Sequence, residues 1–248
     1  MSGHSKWHNI RLRKAKVDLE RGKIFTKLAK EIIVAARHGG GNPDSNSRLR
    51  DAIQKARDAS VPQDNIKRAI MRGTGELEGV TYDEVTYEGY GPGGVAIMLR
   101  ALTDNRNRTV SEIRSIFGRH GGNLGESGCV AWMFQEKGTI ELDRAQADED
   151  KVWEAAIEGG AEDVQIGDTS YEIITAPGAL EKVKQALTAA GLEPTSAEVT
   201  MIPQSTVLLV GKEAQQVLKL MDMLEDQDDV QQAYANFDIS DHELEEAA

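Results

Sequence analysis

Paired cysteines and long apolar runs are both missing from this sequence. Cys129 is the single cysteine, and it lies in an apolar run. It can form no internal disulfide, and it is predicted to be a small buried side chain in a protein of a reducing compartment. No stretch approaches the roughly 20 apolar residues that span a bilayer, and the N-terminus lacks the apolar segment of a signal peptide. We therefore expect a cytoplasmic protein.

The sequence motifs that carry catalysis are missing as well. The sequence contains no G-x-S-x-G, H-E-x-x-H, Walker or C-x-x-C motif. His4 and His8 could share a helix face, but two imidazoles are too few ligands for a zinc site. The acidic run at 225–229 lacks the ligand periodicity of a calcium loop and predicts a solvated turn. We therefore expect a binding protein rather than an enzyme, with no cofactor or metal.

Positive charge is concentrated in the first third of the chain. The whole chain has a formal net charge of -12, yet residues 1–72 hold 17 Lys and Arg against 7 Asp and Glu. The net charge is therefore +10 in this segment and -22 in the rest. Such asymmetry indicates a basic module that meets polyanions and an acidic remainder that keeps the molecule dissolved. A chance imbalance is the alternative.

Three helices are predicted in the basic segment. Residues 18–38 place apolar side chains at helical spacing, and this pattern stops at three consecutive glycines. A second helix is predicted to begin among residues 44–47, where several residues can serve as N-caps. Ser60 and Gln63 form a capping-box pattern for a third helix, which is predicted to close at Gly73. Residues 18–73 therefore predict a three-helix unit.

The remainder of the chain alternates between strands and helices. Val85–Tyr90 and Val95–Ala101 predict a hairpin, a helix is predicted from Thr109, and Cys129–Phe134 predicts the next strand. Residues 138–203 follow the order βαββαβ of the ferredoxin-like split motif. A final βαβ segment could complete the sheet that the hairpin begins.

These elements predict an α+β fold of three domains. A basic helical domain occupies residues 1–75, an α/β domain is divided between 76–136 and 204–240, and a ferredoxin-like domain at 137–203 is inserted into it. The glycine-rich stretch at 89–94 is predicted to be the hairpin turn, because a strand follows it, whereas a phosphate-binding glycine loop opens a helix.

Candidate nucleic-acid contacts fall into three groups. The first helix places Lys23, Lys27, Lys30 and Arg37 on the face opposite its apolar stripe, although the margin of that face is acidic and an ordinary solvated face is the alternative. A second group lies upstream, where basic side chains surround an aromatic residue that could stack on a base or pack in a core. Its members are Lys6, Trp7, Arg11, Arg13, Lys14 and Lys16.

The third group is Arg106 and Arg108, just before the helix predicted from Thr109. Two guanidinium groups and the free backbone N–H groups of a helix start could converge on one anion. A solvated connecting loop is the alternative.

Five segments of the sequence carry a resemblance to a known family. They are Gly3–Trp7, Lys23–Leu28, Tyr87–Ala96, Thr103–Thr109 and Gly121–Leu124. These segments resemble the YebC/PmpR family, which is described as transcriptional regulators and includes a mitochondrial translational activator. The resemblance implies three domains around a cleft, the first helical and the other two α/β, with no established catalytic residues.

This resemblance leaves three functional hypotheses. The first is a regulator of transcription whose basic domain binds DNA. The alternative is a ribosome-associated translation factor that holds ribosomal RNA and relieves stalling at proline-rich stretches, since phosphate contacts do not distinguish these polyanions. The third is an enzyme that uses Arg106 and Arg108 as phosphate clamps in a cleft between domains.

Overall fold

The computed structural model describes residues 18–146, 148–167 and 169–239. None of the described helices is long and apolar enough to cross a membrane. The helices are α1 (Asp18–Gly39), α2 (Ser47–Asp58), α3 (Gln63–Thr74), α4 (Arg106–Arg119), α5 (Glu149–Gly159), α6 (Leu180–Ala189) and α7 (Gly211–Glu225). The strands are β1 (Asp83–Tyr90), β2 (Ala96–Thr103), β3 (Asn123–Leu124), β4 (Phe134–Asp143), β5 (Asp163–Ile166), β6 (Ser170–Thr175), β7 (Ser196–Pro203), β8 (Val207–Leu209), β9 (Val230–Ala235) and β10 (Phe237–Ile239).

The first three helices form the predicted helical unit around one apolar core. Asn46 is the N-cap of α2, and its side-chain oxygen accepts the Leu49 N–H at 3.0 Å. The amide of Asn46 also donates to the Ala35 carbonyl at 2.8 Å, so this residue starts α2 and fastens it to α1. The core side chains come from all three helices and include Ile32, Ala36, Leu49, Ala52, Ile53 and Ile66.

The ends of α3 differ from the prediction. Pro62, not Ser60, precedes the first helical residue, and no side chain caps that end. Gly73 lies inside the helix, and Gly75 terminates it with a φ of 83°, which favours glycine. A Cβ on Gly73 would lie 2.4 Å from the Ile33 carbonyl oxygen. Gly73 therefore permits the close crossing of α1 and α3 rather than ending α3.

The first sheet is assembled from both ends of the α/β region. Strands β1 and β2 form the predicted antiparallel hairpin, and the sheet order is β3-β1-β2-β9. Strand β9 pairs with β2, although β4 to β8 and α7 lie between these two strands along the chain. Helices α4 and α7 contribute to the core of this sheet, in which Phe117 and Leu220 are fully buried. The remaining short strands, β8 and β10, pair in parallel.

The inserted segment has the predicted ferredoxin-like topology. Its elements follow the order β4-α5-β5-β6-α6-β7, and its four strands are arranged β5-β6-β4-β7 with antiparallel pairing throughout. Helices α5 and α6 pack on this sheet through Val152 and Val183, which face the buried Ile140 and Ile173. The mixed fold, with a helical domain first and one α/β domain inserted into another, is thus confirmed.

The prediction of a strand at Cys129–Phe134 was wrong. Strand β4 begins only at Phe134, and a short 3-10 turn precedes it. The buried Glu88 carboxylate accepts the backbone N–H groups of Gly128, Val130 and Ala131 at 2.7 to 2.8 Å. Because one side chain takes up these donors, the segment curves around Glu88 instead of extending. Cys129 is therefore only partly buried.

The predicted start of α4 at Thr109 was also wrong. The helix begins at Arg106, and the side chain of Asn105 caps it by accepting the Arg108 N–H at 3.1 Å. Thr109 is completely buried in the first turn, and its hydroxyl lies 2.7 Å from that of Thr103. Arg106 and Arg108 consequently belong to the helix and not to a preceding loop.

Candidate nucleic-acid interface

The lysine face of α1 is turned toward the α/β domain. Lys23 donates to the Asp226 carbonyl at 3.4 Å, and Lys27 donates to the Glu225 carbonyl. These carbonyls lie at the C-terminal end of α7, where the last peptide C=O groups lack partners within the helix and carry partial negative charge. The lysines therefore cap α7, in a docking contact between two parts of the same chain.

Lys30 is the most deeply placed lysine of this face. Its ammonium group lies 2.7 Å from a carboxylate oxygen of Asp229 and 3.0 Å from the Asp228 carbonyl. The side chains of Lys30 and Asp229 are only 9% and 3% exposed. The expectation that Lys30 lies on a solvent face was wrong, as was the expectation that the acidic turn is solvated throughout.

Asp229 connects the lysine face with α4. Its second carboxylate oxygen accepts from Arg108 at 2.8 Å and from the Thr109 hydroxyl at 2.6 Å. Burial alone would raise the pKa of Asp229, but the hydrogen bonds from Lys30, Thr109 and Arg108 outweigh it and hold the pKa well below its usual range. This carboxylate is therefore an ionised anchor on which α1, α4 and the turn after α7 converge.

A second ion-pair network joins the same two domains. Glu31 of α1 accepts from Arg48 of α2 at 2.8 Å and from Arg100 of β2 at 3.2 Å. Glu84 of β1 pairs with the same two arginines. Burial opposes ionisation of Glu84, yet the charges of Arg100 and Arg48 lower its pKa. Lys55 of α2 also reaches Glu198 of β7 at 2.9 Å, which links the helical and inserted domains.

The two arginines predicted to form an anion site are each held by carboxylates. Arg106 pairs with Asp83 at 2.9 Å, whereas Arg108 pairs with Asp104 at 2.7 Å in addition to Asp229. The two guanidinium groups bind different carboxylates, so the structure does not bring them together on one anion. Both side chains keep a substantial exposed part, at 64% and 43%.

Arg37 is exposed in the last turn of α1. The upstream candidates lie outside the described residues, together with His4 and His8. They are Lys6, Trp7, Arg11, Arg13, Lys14 and Lys16. Within the part of the chain that the structure describes, no cluster of His, Cys, Asp and Glu has the geometry to hold a metal ion.

Sequence reasoning missed a second set of cations on the helical domain. These side chains are exposed, and the described residues provide no carboxylate partner for them. The set comprises Arg50, Arg57, Lys67, Arg68 and Arg72. The signal was present in α3, where Lys67, Arg68 and Arg72 all avoid the apolar stripe formed by Ile66 and Ala69.

Arg72 lies within electrostatic reach of Tyr82, which follows the helical domain along the chain. A Cβ on Gly79 would contact the Arg72 side chain at 3.2 Å, and Tyr82 packs against the helical core. The ring of Tyr82 lies 5.4 Å from the Lys30 ammonium group. Burial raises the pKa of Tyr82, with a further contribution from Asp104, whereas Arg72 and Arg108 lower it. The Tyr82 hydroxyl is thus within electrostatic reach of both α3 and α4.

Sequence comparison accounts for nearly the whole chain. Residues 5–76 match the TACO1/YebC protein N-terminal domain, and residues 82–237 match the TACO1/YebC second and third domain. The chain belongs to the TACO1/YebC family. A protein of Dictyoglomus turgidum, named probable transcriptional regulatory protein, is 58% identical over 246 residues, 99% of each chain. A protein of the same name from Pelotomaculum thermopropionicum is 59% identical over 243 residues, covering 97% of this chain and all of the relative.

A solved structure shares the architecture of this TACO1/YebC family member. The crystal structure of a conserved hypothetical protein from Aquifex aeolicus superposes with a TM-score of 0.81 at 53% sequence identity. The match covers 92% of this chain and 94% of the other. The resemblance that the sequence motifs indicated is therefore confirmed over the full domain set, and the fold is that of this family.

Proposed function

We propose that this protein is a nucleic-acid-binding regulator of transcription that contacts DNA through its helical domain and acts by binding, without catalysis. The observation that supports this most directly is the set of exposed cations on the outer side of that domain. They have no carboxylate partners among the described residues, whereas the inner lysines are used for docking. Exposed Lys and Arg provide the phosphate contacts that dominate affinity for nucleic acid.

The arrangement of α2 and α3 suits duplex DNA. The two short helices are joined by residues 59–62 only, a turn of the length found in helix-turn-helix units. In such units the second helix enters the major groove. The corresponding helix here is α3, and its exposed side carries Lys67, Arg68 and Arg72. This geometry, together with the name that the relatives carry, favours DNA over RNA.

The proposal is tested by titrating a labelled DNA duplex with the full chain at several salt concentrations. Binding that neutralises several phosphates should weaken with salt, and log affinity should fall with log salt by about 0.9 per contact. A duplex that is not bound at low salt, or is bound without salt dependence, would overturn it. The alternative, a ribosome-associated translation factor, is tested by fractionating a DNase-treated lysate. If the protein is recovered with the ribosomes and does not bind the duplex, a translation factor is favoured.

A further inference from the structure

Helix α4 has a charge unlike that of the region around it. Residues 73–248 carry a net charge of -22, yet α4 contains four arginines and one glutamate. Arg106 and Arg108 are neutralised by aspartates, and Glu112 accepts a hydrogen bond from Gln227 at 2.9 Å. Arg114 and Arg119 are exposed, and no described carboxylate pairs with either of them. The helix therefore presents two uncompensated cations to solvent in an otherwise acidic region.

The exposed face of α4 is shaped for close approach. Asn107, Ser111, Arg114 and Gly118 recur at helical spacing, and all of them are exposed. Nothing lies within 4 Å of the position that a Cβ on Gly118 would occupy. Short polar side chains beside an arginine let a helix lie near a phosphate chain and donate hydrogen bonds to it. Long acidic side chains, which would repel phosphate, do not occupy this face.

A chain of contacts fixes α4 relative to the helical domain. Arg108, in the first turn of α4, binds the Asp229 carboxylate, and the other oxygen of this carboxylate binds Lys30 of α1. Lys30 in turn lies over Tyr82, which packs against the helical core that α3 helps to form. The Lys30 and Asp229 side chains in this connection are both buried. The cations of α3 and those of α4 are thus carried on one framework.

We propose that α3 and α4 form one composite surface for the phosphate backbone of a DNA duplex, with Arg114 and Arg119 supplying contacts that do not depend on base sequence. This inference rests on the function proposed above, and it adds the second domain to the binding surface. Its partner follows from charge complementarity, because exposed arginines without carboxylate partners match a polyanion and not a cationic or apolar ligand.

The test compares two double variants of the full chain that lose the same charge. Arg114→Gln/Arg119→Gln removes the cations of α4, and Lys212→Gln/Lys219→Gln removes two exposed cations from α7 of the same domain. Each protein is titrated with two duplexes of unrelated sequence at several salt concentrations. We expect the α4 variant to bind both duplexes on the order of tenfold more weakly, with a salt slope reduced by about 0.9 per lost contact. The α7 variant should bind like the wild type.

The outcomes separate this inference from the function on which it rests. If the wild type binds and both double variants bind equally well, the composite surface is wrong while the DNA-binding proposal stands. If the wild type does not bind any duplex at low salt, both are overturned. A third variant, Arg68→Gln/Arg72→Gln, removes two cations from α3. If this variant loses binding while the α4 variant binds like the wild type, the binding surface is confined to the helical domain and the inference is refuted. Circular dichroism verifies that each variant is folded.

Discussion

Lys30 donates to Asp229 across 2.7 Å at a place where both side chains are almost completely shielded from water. The pair joins the helical domain to the turn after α7, and Arg108 joins it to α4. A cationic helix face that resembles a polyanion site in the sequence is therefore an internal joint. The polyanion-binding surface that we propose therefore lies on the outer side of the same domain and on α4.

Replacing Lys30 with Met should destabilise the protein strongly. The substitution keeps most of the unbranched side chain but leaves the Asp229 carboxylate buried with one cation fewer, and breaking a buried pair costs about 3 to 5 kcal/mol. Arg108 and Thr109 still bind Asp229, so we expect about 3 kcal/mol. Urea unfolding measures this loss. Lys23→Met is the control, since the exposed Lys23 makes one long contact and should change stability by less than about 1 kcal/mol. Equal effects of the two variants would contradict the assignment of Lys30 to a buried joint.

The low pKa of Asp229 predicts a specific loss of stability in acid. Its folded-state pKa lies below the unfolded value of about 3.9, so its stabilising contribution is present above that pH and is lost as the pH falls further. The free energy of unfolding of Asp229→Asn should therefore decline less steeply than that of the wild type between about pH 4 and pH 2. Denaturant unfolding across this range provides the measurement. Asp51→Asn, on the exposed side of α2, should retain the steepness of the wild type; parallel profiles for wild type and Asp229→Asn would refute the prediction.

Local patterns predicted the elements of this fold well, because their causes are local. The three glycines after α1, the N-cap at Asn46 and the βαββαβ alternation each act within a few residues of the element they define. The error at Thr109 is a choice between two nearby caps, since Asn105 rather than Thr109 caps α4. The error at Cys129–Phe134 has a distant cause, because the segment before β4 is curved by Glu88, 40 residues or more away along the chain.

The site was harder to predict than the fold, because charge alone does not reveal where a side chain points. Lys30 and Arg68 are both cations on amphipathic helices, yet Lys30 is 7% exposed and buried against an aspartate, while Arg68 is exposed. What separates them is the docking of a second domain on α1. The carbonyls at the end of α7 that receive the lysines are nearly 200 residues away along the chain, and no helical pattern in α1 indicates them.

Replacing Glu88 with Gln should loosen the segment before β4. The carboxylate accepts three backbone N–H groups, and a neutral amide would offer one oxygen and turn its own donors toward the others. Hydrogen bonds to charged groups contribute about 1.5 to 3 kcal/mol each, so we expect a loss of about 3 kcal/mol. The exposed Trp132 lies in this segment, and its fluorescence should report the local change. Glu136→Gln, at an exposed position of β4, is the control, and an equally small effect of both substitutions would contradict the role of Glu88.

Two glycines in helices should respond to alanine with opposite signs. Gly73 lies where α3 crosses α1, and a Cβ there would meet the Ile33 carbonyl oxygen at 2.4 Å and the Ala36 methyl group at 2.7 Å. The helices must separate to accept it, so Gly73→Ala should destabilise the protein by about 1 to 3 kcal/mol. Gly118 of α4 has nothing within 4 Å of its Cβ position, and an alanine there should stabilise by about 0.5 to 1 kcal/mol through helix propensity alone. Thermal or urea unfolding of the two variants decides the matter. Stabilisation by Gly73→Ala would show that the two helices do not cross as closely as the structure has them, whereas destabilisation by Gly118→Ala would show that the exposed face of α4 is packed against another part of the chain.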